Sequence, residues 1–70
     1  MENYENNPLW LMLVETAKNL PLYNAHKAYV RDSILPEKPD VSTEELSHRL
    51  NMPIGEALVI LWELNKNQTT

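Results

Sequence analysis

Apolar residues recur at spacings of three and four along most of the chain, which is the pattern of amphipathic α-helices. In the first such stretch, Asn7 and Pro8 are typical of a helix start, and the helix is predicted to run to Asn19. Its inner face is predicted to carry Leu9, Leu13, Ala17 and Leu20, with Trp10 and Val14 beside them. The apolar run from Leu9 to Val14 is also compatible with a buried strand, but Leu and Met in place of β-branched residues favour the helix.

A second helix is predicted between Leu22 and Leu35, bounded by Pro21 and Pro36. Pro36 ends it because the residue before a proline is pushed out of the helical region. One side of this helix carries Leu22, Ala25, Tyr29 and Ser33, and that side is flanked by Tyr23, Val30 and Ile34. His26 falls near the apolar side, where we expect a partly buried, hydrogen-bonded histidine.

The stretch from Val41 to Leu64 is typical of two helices joined by a tight turn. Ser42, with Glu45 three residues later, forms a capping box that predicts the start of the first of these helices. Asn51 tolerates the left-handed conformation that often ends a helix, and Pro53 suits the start of the next one. The core face of the last helix is predicted to carry Ala57, Leu61 and Leu64. Its solvent face is then predicted to carry Glu56, Val59, Glu63 and Lys66.

This stretch resembles the helix-turn-helix of the winged-helix superfamily. The resemblance is carried by Ser42, Glu45-Leu46-Ser47, Leu50, Met52, Pro53, Ala57, Leu61 and Leu64. Ser47 stands where the family usually has a small Ala, and Asn51 stands where Gly is commonest. The resemblance implies a nucleic-acid-binding regulator. A wing needs two further strands, and the six polar residues after Leu64 leave no room for them, so we expect a wingless form.

A length of 70 residues is enough for one domain. We expect an all-α fold of three or four short helices, with a helix-turn-helix-like C-terminal half and no wing. Residues 1–7 are expected to form a flexible N-terminus, residues 8–64 a single helical domain and residues 65–70 a polar C-terminal tail.

Composition narrows the classes of function. The chain has no Cys and two His, so disulfides, thiolate chemistry and a structural zinc site are disfavoured. The acidic start lacks the basic flank of a signal peptide, and no apolar run approaches the roughly 20 residues that span a bilayer, so we expect a cytoplasmic protein with no membrane partner. The carboxylates fit helix surfaces, Ser42 is explained by capping, and one Gly gives no phosphate loop. We therefore predict no enzyme activity, no cofactor and no small-molecule substrate.

The first and last helices carry more apolar surface than a domain this small can easily hide, and an exposed remainder would mark an interaction surface. The residues predicted to form it are Trp10, Leu11, Met12, Leu58, Val59 and Trp62. We therefore predict non-enzymatic protein–protein association, as a homodimer or as a subunit or adaptor of a larger complex.

The alternative is a helix-turn-helix regulator that binds nucleic acid. Its phosphate contacts would come from Lys27, Arg31 and Arg49, together with His26 and His48. A net charge of −4 argues against this alternative, because nucleic-acid surfaces attract basic patches. The two hypotheses differ in the solvent face of the last helix, since a basic, polar face favours nucleic acid and an apolar face favours protein.

Overall fold

A computed structural model describes residues 7–68 of the chain, with side chains for residues 7–66. This part of the chain forms four α-helices and contains no strand, which confirms the predicted all-α fold. The helices are α1 (Pro8–Lys18), α2 (Tyr23–Tyr29), α3 (Thr43–Leu50) and α4 (Ile54–Gln68). The predicted flexible N-terminus, apart from Asn7, and the last two residues of the predicted tail lie outside the described residues.

Helix α1 begins at the predicted signals, and its buried side is the predicted one shifted toward Trp10, with Leu13 and Leu20 packed against the core. The side-chain oxygen of Asn7 accepts a hydrogen bond from the N–H of Leu9 at 2.8 Å, and Pro8 is the first helical residue. Trp10 and Ala17 are buried, whereas Leu9 is 70% exposed. The prediction of Leu9 as a core residue is wrong because the larger Trp10 turns inward instead. Its ring packs edge-on against that of Trp62, with centroids 5.3 Å apart.

Helix α2 continues into a wider, π-helical turn at Val30–Ile34, where the N–H of Leu35 bonds to the carbonyl of Val30 at 2.9 Å. The buried side of this element is the predicted flank, formed by Tyr23, Val30 and Ile34. The predicted inner side is wrong, since Leu22 and Tyr29 are exposed, and so are Ala25 and Ser33. The buried stripe repeats at seven and four residues, a spacing that places its members on one side of the helix.

The start and end of α3 follow the sequence signals. The hydroxyl of Ser42 accepts from the N–H of Glu45 at 3.0 Å, and Asn51 takes the left-handed conformation with φ of 55°. The carboxylate of Glu45 contacts Lys38 and Arg49 instead of returning to the backbone of Ser42. Ser47, the departure from the winged-helix pattern, donates its hydroxyl proton to the carbonyl of Met52 at 2.6 Å. This bond ties the turn before α4 to the body of α3.

Helix α4 is the central element, because α1, α2 and α3 all pack against it. Among its residues up to Lys66, five are therefore buried: Glu56, Ala57, Val59, Ile60 and Leu64. The predicted solvent face is wrong, since Val59 is fully buried and Glu56 is 3% exposed. Leu61, predicted as core, is only partly buried. The helix continues past Leu64 to Gln68, so the first residues of the predicted tail are helical.

Candidate protein-interaction surface

One side of α4 is only partly covered by the other three helices, and it is mostly apolar. We call this side the outer face of α4 and define it as Ile54, Leu58, Leu61 and Asn65. At about 100° per residue these four positions fall within an arc of roughly 60°. Ile54 is 54% exposed, and Leu58 and Leu61 are half-buried. Three of the four outer-face residues are therefore large hydrophobic side chains that reach solvent.

The outer face adjoins an exposed side of α1. A methyl group placed at Gly55 would lie 2.9 Å from Cδ1 of Leu13, so α1 crosses directly beside the first turn of α4. The lack of a side chain at Gly55 thus permits this close approach. Leu9 lies one turn before Leu13 and Met12 immediately precedes Leu13, and Leu9 and Met12 are 70% and 60% exposed. Together with the outer face of α4, they extend the uncovered apolar surface onto a second helix.

The six residues predicted for an interface fall into three groups. Met12 and Leu58 reach solvent on this surface, and Trp62, half-buried like Leu58, lies beside it on α4. Leu11 is 60% exposed but lies about 100° around α1 from Met12, on another side. Trp10 and Val59 are core residues at 7% and 0% exposure, so they cannot form a solvent-facing surface.

Sequence reasoning missed Ile54 and Leu9, the most exposed hydrophobic residues of α4 and α1 on this surface. Ile54 was overlooked because it follows Pro53 at the helix start, outside the periodic run from Glu56 to Leu64. The spacing of Ile54, Leu58 and Leu61 at four and three residues is the signal that identifies it.

The Lys and Arg residues of the nucleic-acid alternative each contact a carboxylate. Lys27 contacts Glu63 at 3.1 Å, Arg31 forms two hydrogen bonds with Asp32, and Arg49 lies 3.8 Å from Glu45. The other three Lys residues, all within the described part of the chain, also contact neighbouring side chains. Lys18 pairs with Glu63, Lys38 with Glu45, and the ammonium of Lys66 lies 5.0 Å from the centre of the Trp62 ring. The Lys and Arg side chains of this protein therefore all form contacts with other side chains of the same chain.

Glu63 has the most partners of these carboxylates. It accepts hydrogen bonds from the hydroxyl of Tyr23 on α2 and from the ammonium groups of Lys18 and Lys27. Desolvation by burial acts to raise the pKa of Glu63, but the bonds from Tyr23, Lys18 and Lys27 outweigh it and lower the pKa to about 2. Burial and the same carboxylate raise the pKa of Tyr23 well above its ordinary value. Glu63 thus links α4 to both α1 and α2.

A second carboxylate of α4, Glu56, is buried against a histidine. Nδ1 of His26 lies 2.7 Å from Oε2 of Glu56, and because a carboxylate can only accept, Nδ1 is the donor. This confirms His26 as a partly buried, hydrogen-bonded residue. The pair lines a cavity of about 270 Å³, which we call the His26–Glu56 cavity. Its other lining residues are mostly apolar: Leu20, Pro21, Leu22, Asn51, Met52 and Pro53.

Comparison of this chain with protein-family models, with curated proteins and with solved structures gives no match. None of the helices described here has the length and hydropathy needed to cross a membrane.

Proposed function

We propose that this protein is a non-enzymatic association module that binds another protein through the outer face of α4 and the adjoining exposed side of α1. The observation that carries the proposal is the apolar character of the outer face, where Ile54, Leu58 and Leu61 reach solvent. Buried interface cores are enriched in such side chains and depleted in charge. A face of this kind is costly to leave in water unless a partner covers it.

The same face argues against the nucleic-acid alternative. In a helix-turn-helix, the second helix enters the major groove and presents its solvent side to base edges. Reading those edges takes donors such as Arg, Lys, Asn and Gln, and Ile54, Leu58 and Leu61 have none to offer. Asn65 is the one outer-face residue that could donate. Phosphate contacts would in addition compete with the carboxylates that already hold Lys27, Arg31 and Arg49.

Charge favours a different protein over a second copy as the partner. The chain carries a net charge of −4, so two copies brought face to face repel each other. Among the described residues, four carboxylates have no ion pair within the chain: Glu15, Glu37, Asp40 and Glu44. A partner with an apolar patch and a basic rim complements both properties.

The proposal is tested by single Lys substitutions at Ile54 and Met12, with Leu11→Lys as the matched control. All three side chains are more than half exposed, so the folded state tolerates each change, but only Ile54 and Met12 lie on the proposed surface. The wild-type protein purified from its native source should retain a stoichiometric partner, identified by mass spectrometry and sized by light scattering. Ile54→Lys and Met12→Lys should weaken that complex at least about tenfold, a loss of about 1.4 kcal/mol, and Leu11→Lys should not.

Self-association is read from the same light-scattering measurement, as a dimer mass in the absence of any second protein. Equal binding by all three variants would contradict the placement of the surface. A monomer that retains no protein at all would contradict the association function.

A further inference from the structure

A second cavity adjoins the outer face of α4 at the C-terminal end of that face. It has a volume of about 220 Å³, and we call it the Arg31–Asn65 cavity. Its lining residues are Arg31, Leu35, Pro36, Pro39 and Asn65. Asn65 also belongs to the outer face, so a protein that covers this face along its whole length reaches the cavity.

The cavity lies where α2 widens into its π-helical turn. The N–H of Leu35 bonds to the carbonyl of Val30, five residues back, and Pro36 follows with no N–H to continue the helix. Wider turns of this kind are frequent at functional sites. Proline fixes the backbone angle φ, so the loop that carries Pro36 and Pro39 has less conformational freedom to lose when a partner binds.

The guanidinium of Arg31 is held along one edge by a neighbouring carboxylate. Its Nε and Nη2 atoms donate to the two carboxylate oxygens of Asp32, at 2.9 and 3.1 Å. The pair carries no net charge, so this wall of the cavity favours a neutral ligand over an anion. Pairing at the edge leaves the flat face of a guanidinium available, and such faces stack on aromatic rings. Leu35 and the two prolines add apolar surface for the same ring.

Asn65 adds a polar group to this lining. Its side-chain amide forms no hydrogen bond with any other described residue, so both its carbonyl oxygen and its NH₂ group can bind a ligand. A volume of about 220 Å³ is below the roughly 300–1,000 Å³ that is common for small-molecule sites, and it suits one large side chain. Trp and Tyr are frequent anchors of this kind, and each carries one polar group on an apolar ring.

The rim of the cavity is acidic. Glu37 and Asp40 each follow one of the lining prolines, and both are exposed with no ion pair among the described residues. Lys38, the cation between them, lies 3.6 Å from Glu45. Cationic residues beside an aromatic anchor therefore meet opposite charge at this rim.

We propose that the Arg31–Asn65 cavity binds a Trp or Tyr side chain of the partner protein, in a segment that carries Lys or Arg beside it. The ring stacks on the guanidinium of Arg31, and its polar group bonds to the amide of Asn65. The flanking cations lie near Glu37 and Asp40. This inference rests on the proposed association function, since it names the residues that the partner contributes at one end of the outer face.

The test uses capped tripeptides as probes and needs no knowledge of the partner. Amide shifts of the ¹⁵N-labelled protein are followed during titration with acetyl-Lys-Trp-Lys-amide. Saturable shifts should appear at Leu35, Lys38 and the side-chain amide of Asn65, and they should weaken as salt rises. Binding should be several-fold weaker with cyclohexylalanine in place of Trp, because that ring is apolar but not aromatic, and with Glu in place of both Lys. Equal binding of either altered peptide, or no saturable shift with any probe, would overturn the proposal.

Two matched pairs of variants locate the binding, and all four positions are exposed. Arg31→Gln removes the guanidinium of the cavity, whereas Arg49→Gln removes an ion-paired arginine that does not line it. Arg31→Gln should reduce the preference for Trp over cyclohexylalanine several-fold, and Arg49→Gln should leave it unchanged. Asp40→Asn should likewise reduce the preference for Lys flanks over Glu flanks more than Glu15→Gln, which lies on α1. Equal effects within either pair would overturn the assignment.

Free indole separates a partner side chain from a small aromatic ligand. Tighter binding of indole than of the tryptophan peptide would overturn the assignment to a partner protein. The titrations also separate this inference from the proposed function. Loss of the native partner in Ile54→Lys, with no peptide binding to the wild type, would remove the cavity assignment alone. Peptide binding by a protein that retains no partner would support the cavity site and remove the association function.

Discussion

At the scale of single residues, Asn51 sets the direction of the chain between α3 and α4. It is the one non-glycine residue with positive φ among those described, at 55°. Most L-residues are strained in this conformation because their Cβ atom comes close to the following carbonyl oxygen, whereas Gly has no Cβ and is not strained. We expect Asn51→Ala to lower the free energy of unfolding by about 1 kcal/mol and Asn51→Gly to leave it unchanged or raise it slightly. Urea denaturation of the three proteins measures this, and equal stabilities would mean that the turn relaxes to another conformation.

Ser42 fixes the start of α3 through one hydrogen bond to the N–H of Glu45. Ser42→Ala should therefore cost about 0.5–2 kcal/mol of stability, the usual range for loss of an N-cap. Ser42→Asp retains an acceptor at the same place and should recover most of that loss. The comparison is made by urea denaturation, and an unchanged midpoint for Ser42→Ala would show that water replaces the cap at little cost.

At the scale of elements, neighbouring residues of α4 differ sharply in burial. Ile60 is fully buried, whereas Leu61 is half-buried beside the outer face. Ile60→Ala should cost about 2–5 kcal/mol, as expected for truncation of a buried aliphatic side chain, and Leu61→Ala should cost clearly less. Thermal and urea unfolding of the two variants test this order. A larger loss for Leu61→Ala would restore the core face predicted from the sequence.

Local sequence signals predict where the helices lie along the chain, but they do not predict which side of each helix is buried. Asn7 with Pro8, Ser42 with Glu45, and Asn51 act on neighbouring backbone groups, so the sequence alone predicts where α1 and α3 begin and where α3 ends. In α1 and α4, apolar residues cover most of the circumference, so periodicity does not choose between Leu9 and Trp10 or between Leu61 and Ile60. That choice depends on which helices pack together, which is tertiary information.

The candidate surface was predicted in part for the same reason. The excess of apolar residues in α1 and α4 predicts an apolar surface, and of the residues predicted for it, Met12, Leu58 and Trp62 reach solvent. Val59 was placed wrongly because three elements pack on α4 and bury more than one of its sides. The burial of Glu56 against His26 joins residues 30 positions apart in sequence, and no local pattern indicates such a pair.

At the scale of the whole molecule, Glu63 connects three of the four helices. Its carboxylate, 18% exposed, accepts from Lys18 of α1 and from Tyr23 and Lys27 of α2. This shared acceptor adds polar contacts to the apolar packing that holds α1 and α2 to α4. The pKa of Glu63 falls from 4.5 to about 2 on folding, so protonation of this group opposes the folded state.

The sign of the pH dependence follows from that depression. A carboxylate whose pKa is lower in the folded state contributes stability above its unfolded pKa, and the contribution is lost as pH falls through the folded pKa. The contribution of Glu63 should therefore be complete above about pH 4.5 and largely absent near pH 2. The shift corresponds to at most about 3 kcal/mol, and screening by solvent reduces it to about 1–2 kcal/mol.

Glu63→Gln isolates this effect, because it removes the titrating group and keeps the size of the side chain. We expect the variant to be less stable than the wild type at pH 7, and the difference to shrink by about 1–2 kcal/mol at pH 2.5. Glu37→Gln, at an exposed position in the loop before α3, is the control. Its free energy of unfolding should change between pH 7 and pH 2.5 by about as much as that of the wild type. Urea denaturation at both pH values measures all three proteins. If the difference in free energy of unfolding between Glu63→Gln and the wild type were the same at both pH values, the contacts of Glu63 would not depend on its charge. Packing alone would then hold α1 and α2 to α4.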